Sequence, residues 1–316
     1  MLLNDKFGRN FKTLRVSLLS TCNLGCVYCT MGTEEEVMVD RKMQTPASVF
    51  LNHITQLHRQ LDLQTIRFTG GEPLLYRELP QIIEGVRALG IPDIKLTTNA
   101  FLLDRMAPAL KEAGLQYVNV SLDAMNEESF FKMTRRKQLN RTLQGIETAL
   151  ACGLDVKINA VMMKGKNDDQ VLPLLEYAFE RNIPLRFLEV MSMGHLFGQG
   201  QEHLFAQDEI LEVIATKYSF TKQYRKSSST ANYWQTTKGN VFGIIANDTE
   251  PFCMDCNRLR LDAEGNIYGC LSSNHAIALS GYEHEDELKN KLQQAMKQKQ
   301  ELHFTGSEMS MMHIGG

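Results

Sequence analysis

LLSTCNLGCVYCTMG, residues 18–32, sets three cysteines, Cys22, Cys26 and Cys29, within eight residues, separated by three and then two others. Three thiolates can each hold one iron of a [4Fe–4S] cube and leave the fourth iron open to an external ligand. A zinc ion with an open catalytic position is the alternative. Such sites usually include histidine, and none of the eight histidines lies near this loop.

The loop follows an apolar, β-rich run, TLRVSLL (13–19), and strands and helices alternate from there. Strand-like TIRFTG (65–70), DIKLTT (93–98), YVNVSL (117–122), VKINAVM (156–162) and LRFLEVM (185–191) are separated by helical stretches near 46–62, 78–89, 102–114, 127–135, 141–152 and 170–182. Six βα units predict a parallel sheet covered by helices, and the number fits an open partial barrel better than a closed eightfold one. Active residues are then expected at the carboxyl ends of the strands. After about residue 220 the texture changes. KQYRKSSSTANYWQTTKGN (222–240) is polar and turn-rich, VFGIIA (241–246) and RLRLDAEGNIYGCL (258–271) read as antiparallel strands, and a charged helix covers about 283–301. The division drawn from this is residues 1–221 for the barrel and 222–316 for a C-terminal α+β extension.

The chain has 316 residues, 43% hydrophobic and 22% charged, with a net charge of −3. That balance recruits neither nucleic acid nor a membrane, so an anionic ligand must be caught by a local basic cluster. No apolar run is long enough to span a bilayer, and MLLNDKFGRNFK (1–12) has no apolar signal core. A cytoplasmic, reducing compartment is expected, where seven cysteines argue for metal or catalysis rather than disulfides. Cys152, alone at the apolar end of a helix, reads as a buried structural thiol.

The remaining three cysteines form a second triad in FCMDCNRLRLDAEGNIYGC (252–270): Cys253, Cys256 and Cys270. His275 could complete a zinc ribbon; a second cube with an iron open to substrate is the alternative. Arg258 and Arg260 alternate on a strand, so both face one side. Two guanidiniums on one face beside cysteine ligands suit a polyphosphate, which arginine binds in a fork.

The C-x₃-C-x₂-C spacing, with Tyr28 before its last cysteine and with TGGEPLL (69–75) after the second strand, resembles the radical S-adenosylmethionine (SAM) superfamily. There the methionine end of SAM fills the open iron site. Glycines at 70 and 71 would let the backbone approach a ligand closely, and Glu72 could accept hydrogen bonds from the SAM ammonium. Over nearly the whole chain the pattern is similar to the GTP 3′,8-cyclase family of molybdenum cofactor biosynthesis. The matching stretches are FGR (7–9), IRFTGGEPLL (66–75), LTTN (96–99), VSLDAMN (120–126), VKIN (156–159), RFLEVMSMG (186–194), CNRLRL (256–261) and a terminal Gly-Gly.

The resemblance implies a partial (β/α)6 barrel carrying one [4Fe–4S] cluster, with a second [4Fe–4S] cluster in the extension. It implies SAM contacts at Tyr28, Gly71, Glu72, Ser121 and Met191. It implies GTP contacts at Arg15, Arg67, Thr97, Lys157, Arg258, Leu259 and Arg260. It also gives Arg258, Arg260, Gly315 and Gly316 parts in catalysis, the two glycines by reaching into a barrel mouth where both triads and the basic residues converge. By composition alone Met191 would be core filler. The chain departs from the family pattern after Cys29, where Thr30 begins an unusual loop, at Ala100 where glycine is common, in STANYW (229–234), and at Asp262 where threonine is typical.

The implied reaction begins with reductive cleavage of SAM to a 5′-deoxyadenosyl radical. That radical takes the 3′ hydrogen of GTP, and the ribose carbon then attacks C8 of guanine, giving (8S)-3′,8-cyclo-7,8-dihydroguanosine 5′-triphosphate. The implied partners are GTP, a downstream cyclic pyranopterin monophosphate synthase, an electron donor such as flavodoxin or ferredoxin, and a second chain in a possible homodimer. Two rival readings stand beside this one. A twin-cluster peptide maturase would carry more C-terminal cysteines and lack the Arg-x-Arg and Gly-Gly features. A zinc- or cluster-bearing binding module would have no use for six βα units and a Gly-Gly-Glu motif.

Overall fold

The computed structural model describes residues 3–30, 44–280 and 284–315. The expected alternation is realised as β1 (Thr13–Ser17), α1 (Ala47–Leu61), β2 (Thr65–Thr69), α2 (Leu79–Ala88), β3 (Asp93–Thr98), α3 (Leu103–Ala113), β4 (Tyr117–Ser121), α4 (Glu127–Thr134), α5 (Leu139–Ala151), β5 (Asp155–Met162), α6 (Val171–Glu180) and β6 (Leu185–Glu189). There follow α7 (Gln207–Ala215), β7 (Phe220–Lys222), β8 (Asn232–Thr236), β9 (Val241–Ile245), β10 (Arg258–Leu261), β11 (Asn266–Tyr268), β12 (Ile277–Ala278), α8 (Glu285–Lys297) and α9 (Met311–Ile314).

Among the described residues the strands form one twelve-stranded sheet, ordered β12-β11-β10-β1-β2-β3-β4-β5-β6-β9-β8-β7. The expected antiparallel pair β10–β11 is present, and β8, within the polar stretch 222–240, pairs antiparallel with β9. Each also joins the barrel, since β10 lies parallel to β1 and β9 parallel to β6. The C-terminal segment therefore prolongs the parallel sheet at both edges. No pairing joins β9 to β10 or β7 to β12 among the described residues, so the barrel stays open.

Strands buried on both faces usually read as unbroken apolar runs; these alternate. Leu14 and Val16, Ile66 and Phe68, Ile94 and Leu96, Val118 and Val120, and Leu185 and Phe187 are buried. They form one core with α-helical stripes such as Phe50, Ile54, Leu57 and Leu61 of α1. The other face of the same strands carries Arg15, Arg67, Lys95, Thr97, Ser121, Lys157, Asn159 and Arg186, and it lines a cavity. Alternation in a parallel sheet thus marks a hollow interior.

Two departures from the family pattern have local explanations. Ala100 is fully buried with φ +60°, a left-handed conformation that costs an L-residue about 1–2 kcal/mol, which explains glycine as the commoner choice there. Asp262 organises the β10–β11 turn, accepting from the Glu264 and Asn266 backbone N–H groups at 2.9 and 2.8 Å and from the Tyr268 hydroxyl at 3.0 Å. Cys152 caps the end of α5 half-buried against the core, less enclosed than expected, because a helix terminus meets solvent on one side.

Candidate active site

Strand register builds the centre of the cavity. Arg260 pairs with Arg15 across β10–β1, Arg15 with Arg67 across β1–β2, and Arg67 with Lys95 across β2–β3, so four cations lie side by side in one row. One step toward the carboxyl ends, Thr97, Asn119 and Lys157 form the next row. Like charges directly opposite one another are destabilising; here Arg260 is buried, Arg15 and Arg67 are half-buried, and half-buried Lys95 pairs with Asp93 at 2.8 Å. Burial, followed by Arg186 and Arg258, lowers Arg67 to about 9. Burial, followed by Arg260, Arg258 and Arg67, holds Arg15 well below its ordinary value. Burial, followed by Arg186, also lowers Lys157. The Arg15 Nε is buried without a hydrogen-bond partner. Asn119, turned so that its amide oxygen faces the guanidiniums, accepts from Arg186 at 2.7 Å and Arg67 at 2.8 Å. Buried cations need counter-charge, and this row fits an anion with several negative oxygens.

The first triad sits on the loop after β1, at the carboxyl end of the sheet. The turn after β2 fixes it: Gly71 N donates to Leu19 O at 2.7 Å and Glu72 N to Thr21 O at 2.8 Å. A Cβ at Gly71 would overlap the Thr21 carbonyl, so this glycine is required by the cysteine loop itself as well as by any ligand in the cavity. Gly71→Ala is accordingly expected to displace residues 19–22, and metal analysis of the variant should find the metal of the first triad lost. Glu72 is buried and receives hydrogen bonds from Thr98 Oγ1 (2.6 Å), Asn99 N (2.8 Å) and Leu74 N (2.9 Å). Burial raises it to about 7 against those bonds. Asn99 links its amide to Asn23 at 2.8 Å. The Tyr28 hydroxyl donates to Asp123 at 2.9 Å, and Val161 N holds the other oxygen of that carboxylate at 2.8 Å.

All three thiols line the cavity. Burial pushes Cys29 up to about 11, burial and Glu72 push Cys22 up to about 12, and burial holds Cys26 well above its usual value. As thiolates they require positive charge beside them. No three His, Cys, Asp or Glu side chains among the described residues converge on a single ion.

The second triad, expected at the same mouth, lies at the other end. Cys253 and Cys256 precede β10, which runs parallel to β1, and Cys270 follows β11, which runs antiparallel to β10. All three therefore lie at the amino end of the sheet, with the cation row between the two triads. Arg258 Nε reaches Cys256 Sγ at 3.3 Å, and Lys299 Nζ, buried, reaches the same sulfur at 3.1 Å and also the Arg258 carbonyl. Against the effect of burial, these two cations hold the Cys256 thiol well below its ordinary value. Arg9 of FGR, paired with Asp5, donates to the Cys253 carbonyl at 3.0 Å, and Arg225 grips Asp255 with both nitrogens.

The C-terminal residues enter the cavity from the carboxyl end. Ile314 and Gly315 are buried; Arg260 donates to both their carbonyls, and Ser17 Oγ donates to Met312 O at 3.3 Å. Gly315 adopts φ +71°, and a Cβ there would overlap Thr69 Oγ1. Gly316 lies outside the described residues. Met191 packs beside Met193, Tyr268 and Ile314, and Ser121 lines the cavity. Leu259 is fully buried on β10 between the two arginines. Lys95, Arg186, Lys299, Asp123 and Asn99 also line the cavity and are not among the residues expected from the sequence. Lys95 and Arg186 repeat the signal of Arg15, a cation within an apolar strand; nothing local marks Lys299.

Residues 16–178 match the model of the Radical SAM superfamily and residues 183–305 that of Molybdenum Cofactor Synthesis C. A Listeria welshimeri protein described as GTP 3′,8-cyclase is 35% identical over 308 residues, 96% of this chain and 92% of its own. Proteins so described from Corynebacterium glutamicum (strain R) and Synechocystis sp. are 38% and 33% identical, covering 100% and 99% of this chain and 89% and 95% of theirs. Among solved structures, Streptococcus suis SuiB bound to S-adenosylmethionine superposes with TM-score 0.63 at 15% identity over 88% of this chain and 65% of that one. Native anSMEcpe with bound AdoMet gives 0.56 at 16% over 90% and 81%. At that identity the likeness is one of fold. No helix among the described residues is long and apolar enough to cross a membrane.

Proposed function

Because this chain belongs to the GTP 3′,8-cyclase family of the radical SAM superfamily, we infer that its cavity holds GTP between two cysteine triads, phosphates on the cation row. It is a radical SAM enzyme of molybdenum cofactor biosynthesis that cyclises GTP, and it uses a [4Fe–4S] cluster and SAM. Cys22, Cys26 and Cys29 would hold that cluster, with SAM beside it. When bound, the pair supplies one-electron, hydrogen-abstracting chemistry. Cys253, Cys256 and Cys270 would hold a second cluster facing the substrate.

The side chains bind, orient and exclude water. Arg15, Arg67, Lys157, Arg258 and Arg260 neutralise the triphosphate, with Thr97 beside them. The observation that carries this is the register-aligned row Arg260–Arg15–Arg67 lining the cavity, with Lys95, paired with Asp93 at 2.8 Å, at its end. Tyr28, Gly71, Glu72, Ser121 and Met191 surround SAM, with Glu72 offering its carboxylate to the ammonium. An external one-electron donor such as flavodoxin or ferredoxin is required, and a cyclic pyranopterin monophosphate synthase would consume the product.

Anaerobic, reduced protein given GTP and SAM should form the cyclised nucleotide; GTP returned unchanged would contradict the reading. Arg258→Ala is expected to lower kcat/KM for GTP roughly 10- to 150-fold, the value of one charge-assisted contact, with iron content unchanged. Wild-type kcat/KM in that variant would remove Arg258 from the phosphate site.

A further inference from the structure

Three segments meet beside the first triad. The tail runs along residues 192–194: Gly194 N donates to Ser307 O at 2.9 Å and Ser307 N to Ser192 O at 3.1 Å. One residue on, the His195 Nε2 donates to the Val27 carbonyl at 2.8 Å. From the tail, the Ser310 hydroxyl donates to the Cys29 carbonyl at 3.0 Å while its oxygen accepts from Met312 N at 3.4 Å. Carbonyls on both sides of Tyr28 are thus held by two segments that also hold each other. On the inner side of the loop, Gly25 N and Val27 N donate to the Thr134 and Met133 carbonyls at 2.9 Å. The far end of the short helix α9 is gripped by Arg260.

We propose that Ser310 is a positioning residue for radical initiation: through its hydroxyl the seated tail fixes the Cys26–Cys29 turn, so that tail docking and first-cluster geometry form one equilibrium. The proposal rests on the cluster and SAM assignment of the first triad. The Ser310 bond acts on the backbone that carries Cys29, and such outer contacts orient a metal's ligands and so bear on a cluster's reduction potential. Arg260 at one end of α9 and Cys29 at the other give the substrate side a physical link to the SAM side.

The test compares full-length wild type, Ser310→Ala and Ser310→Thr after anaerobic reconstitution. It reads iron content, the EPR signal and potential of the reduced first cluster with and without SAM, and kcat and KM for GTP. In Ser310→Ala the SAM-bound EPR signal and the potential should both shift. Its kcat should drop roughly 2- to 10-fold, the scale of one hydrogen bond, with KM for GTP unchanged, and Ser310→Thr should restore all three. Selective loss of first-triad iron in the alanine variant, with iron retained in the threonine variant, would also support the proposal. A wild-type EPR signal and potential in Ser310→Ala overturn it, whether or not turnover falls, because the tail would then act on substrate alone. Wild-type protein lacking acid-labile sulfide would instead overturn the cofactor assignment beneath it.

Discussion

Gly315→Ala is expected to abolish GTP cyclisation, by two orders of magnitude or more, while iron content and the overall fold stay at wild-type levels. The glycine sits at φ +71°, and a single methyl group there would overlap the Thr69 hydroxyl oxygen. Its carbonyl and that of Ile314 are held by Arg260, and its N–H closes on the Met311 carbonyl at 2.9 Å. Unseating it frees the tail and withdraws two partners from a buried guanidinium. Misplacement of about 1 Å in such an array can cost about 100-fold in rate. The main core is untouched, because Ile314 packs in a separate small cluster with Met193 and Tyr268. A rate assay with 5′-deoxyadenosine and cyclised product measured separately checks it; a Gly315→Ala enzyme turning over at the wild-type rate would show that the tail is a bystander.

Cys22→Ala should lose all cyclisation and about four of about eight irons, since each triad is read as holding one four-iron cube. The mirror variant, Cys256→Ala, should lose the other cube and keep the first. The triads lie at opposite ends of the sheet and share no loop, so loss at one should leave the other loaded. Stoichiometric zinc with no labile sulfide in the wild type would contradict both assignments.

Much of this is legible in the sequence because the determinants are local. The cysteine spacing, the Gly-Gly-Glu turn and the six alternating strands each lie within a dozen residues. The cations inside apolar strands announce a hollow interior. What the chain does not display is register. That Arg260, Arg15, Arg67 and Lys95 form one row depends on β10 lying beside β1, although more than two hundred residues separate them. The same pairing moves the second triad to the amino end of the sheet, away from the single mouth that the sequence suggests for both. Tertiary donors such as Lys299 on Cys256, or His195 on Val27, come from segments whose local composition is ordinary. Sequence motifs account for Gly71 as a close approach to a ligand; the structure adds that the cysteine loop's own backbone already occupies the space.

The most direct test of the central claim uses GTP carrying deuterium at the ribose 3′ position, incubated with SAM and a one-electron reductant under anaerobic conditions. Mass spectrometry of the 5′-deoxyadenosine reports where its new hydrogen came from. One deuterium per molecule, formed in step with cyclised nucleotide, is the predicted result. Unlabelled 5′-deoxyadenosine accompanying the product, or label appearing with no cyclised nucleotide, would contradict it.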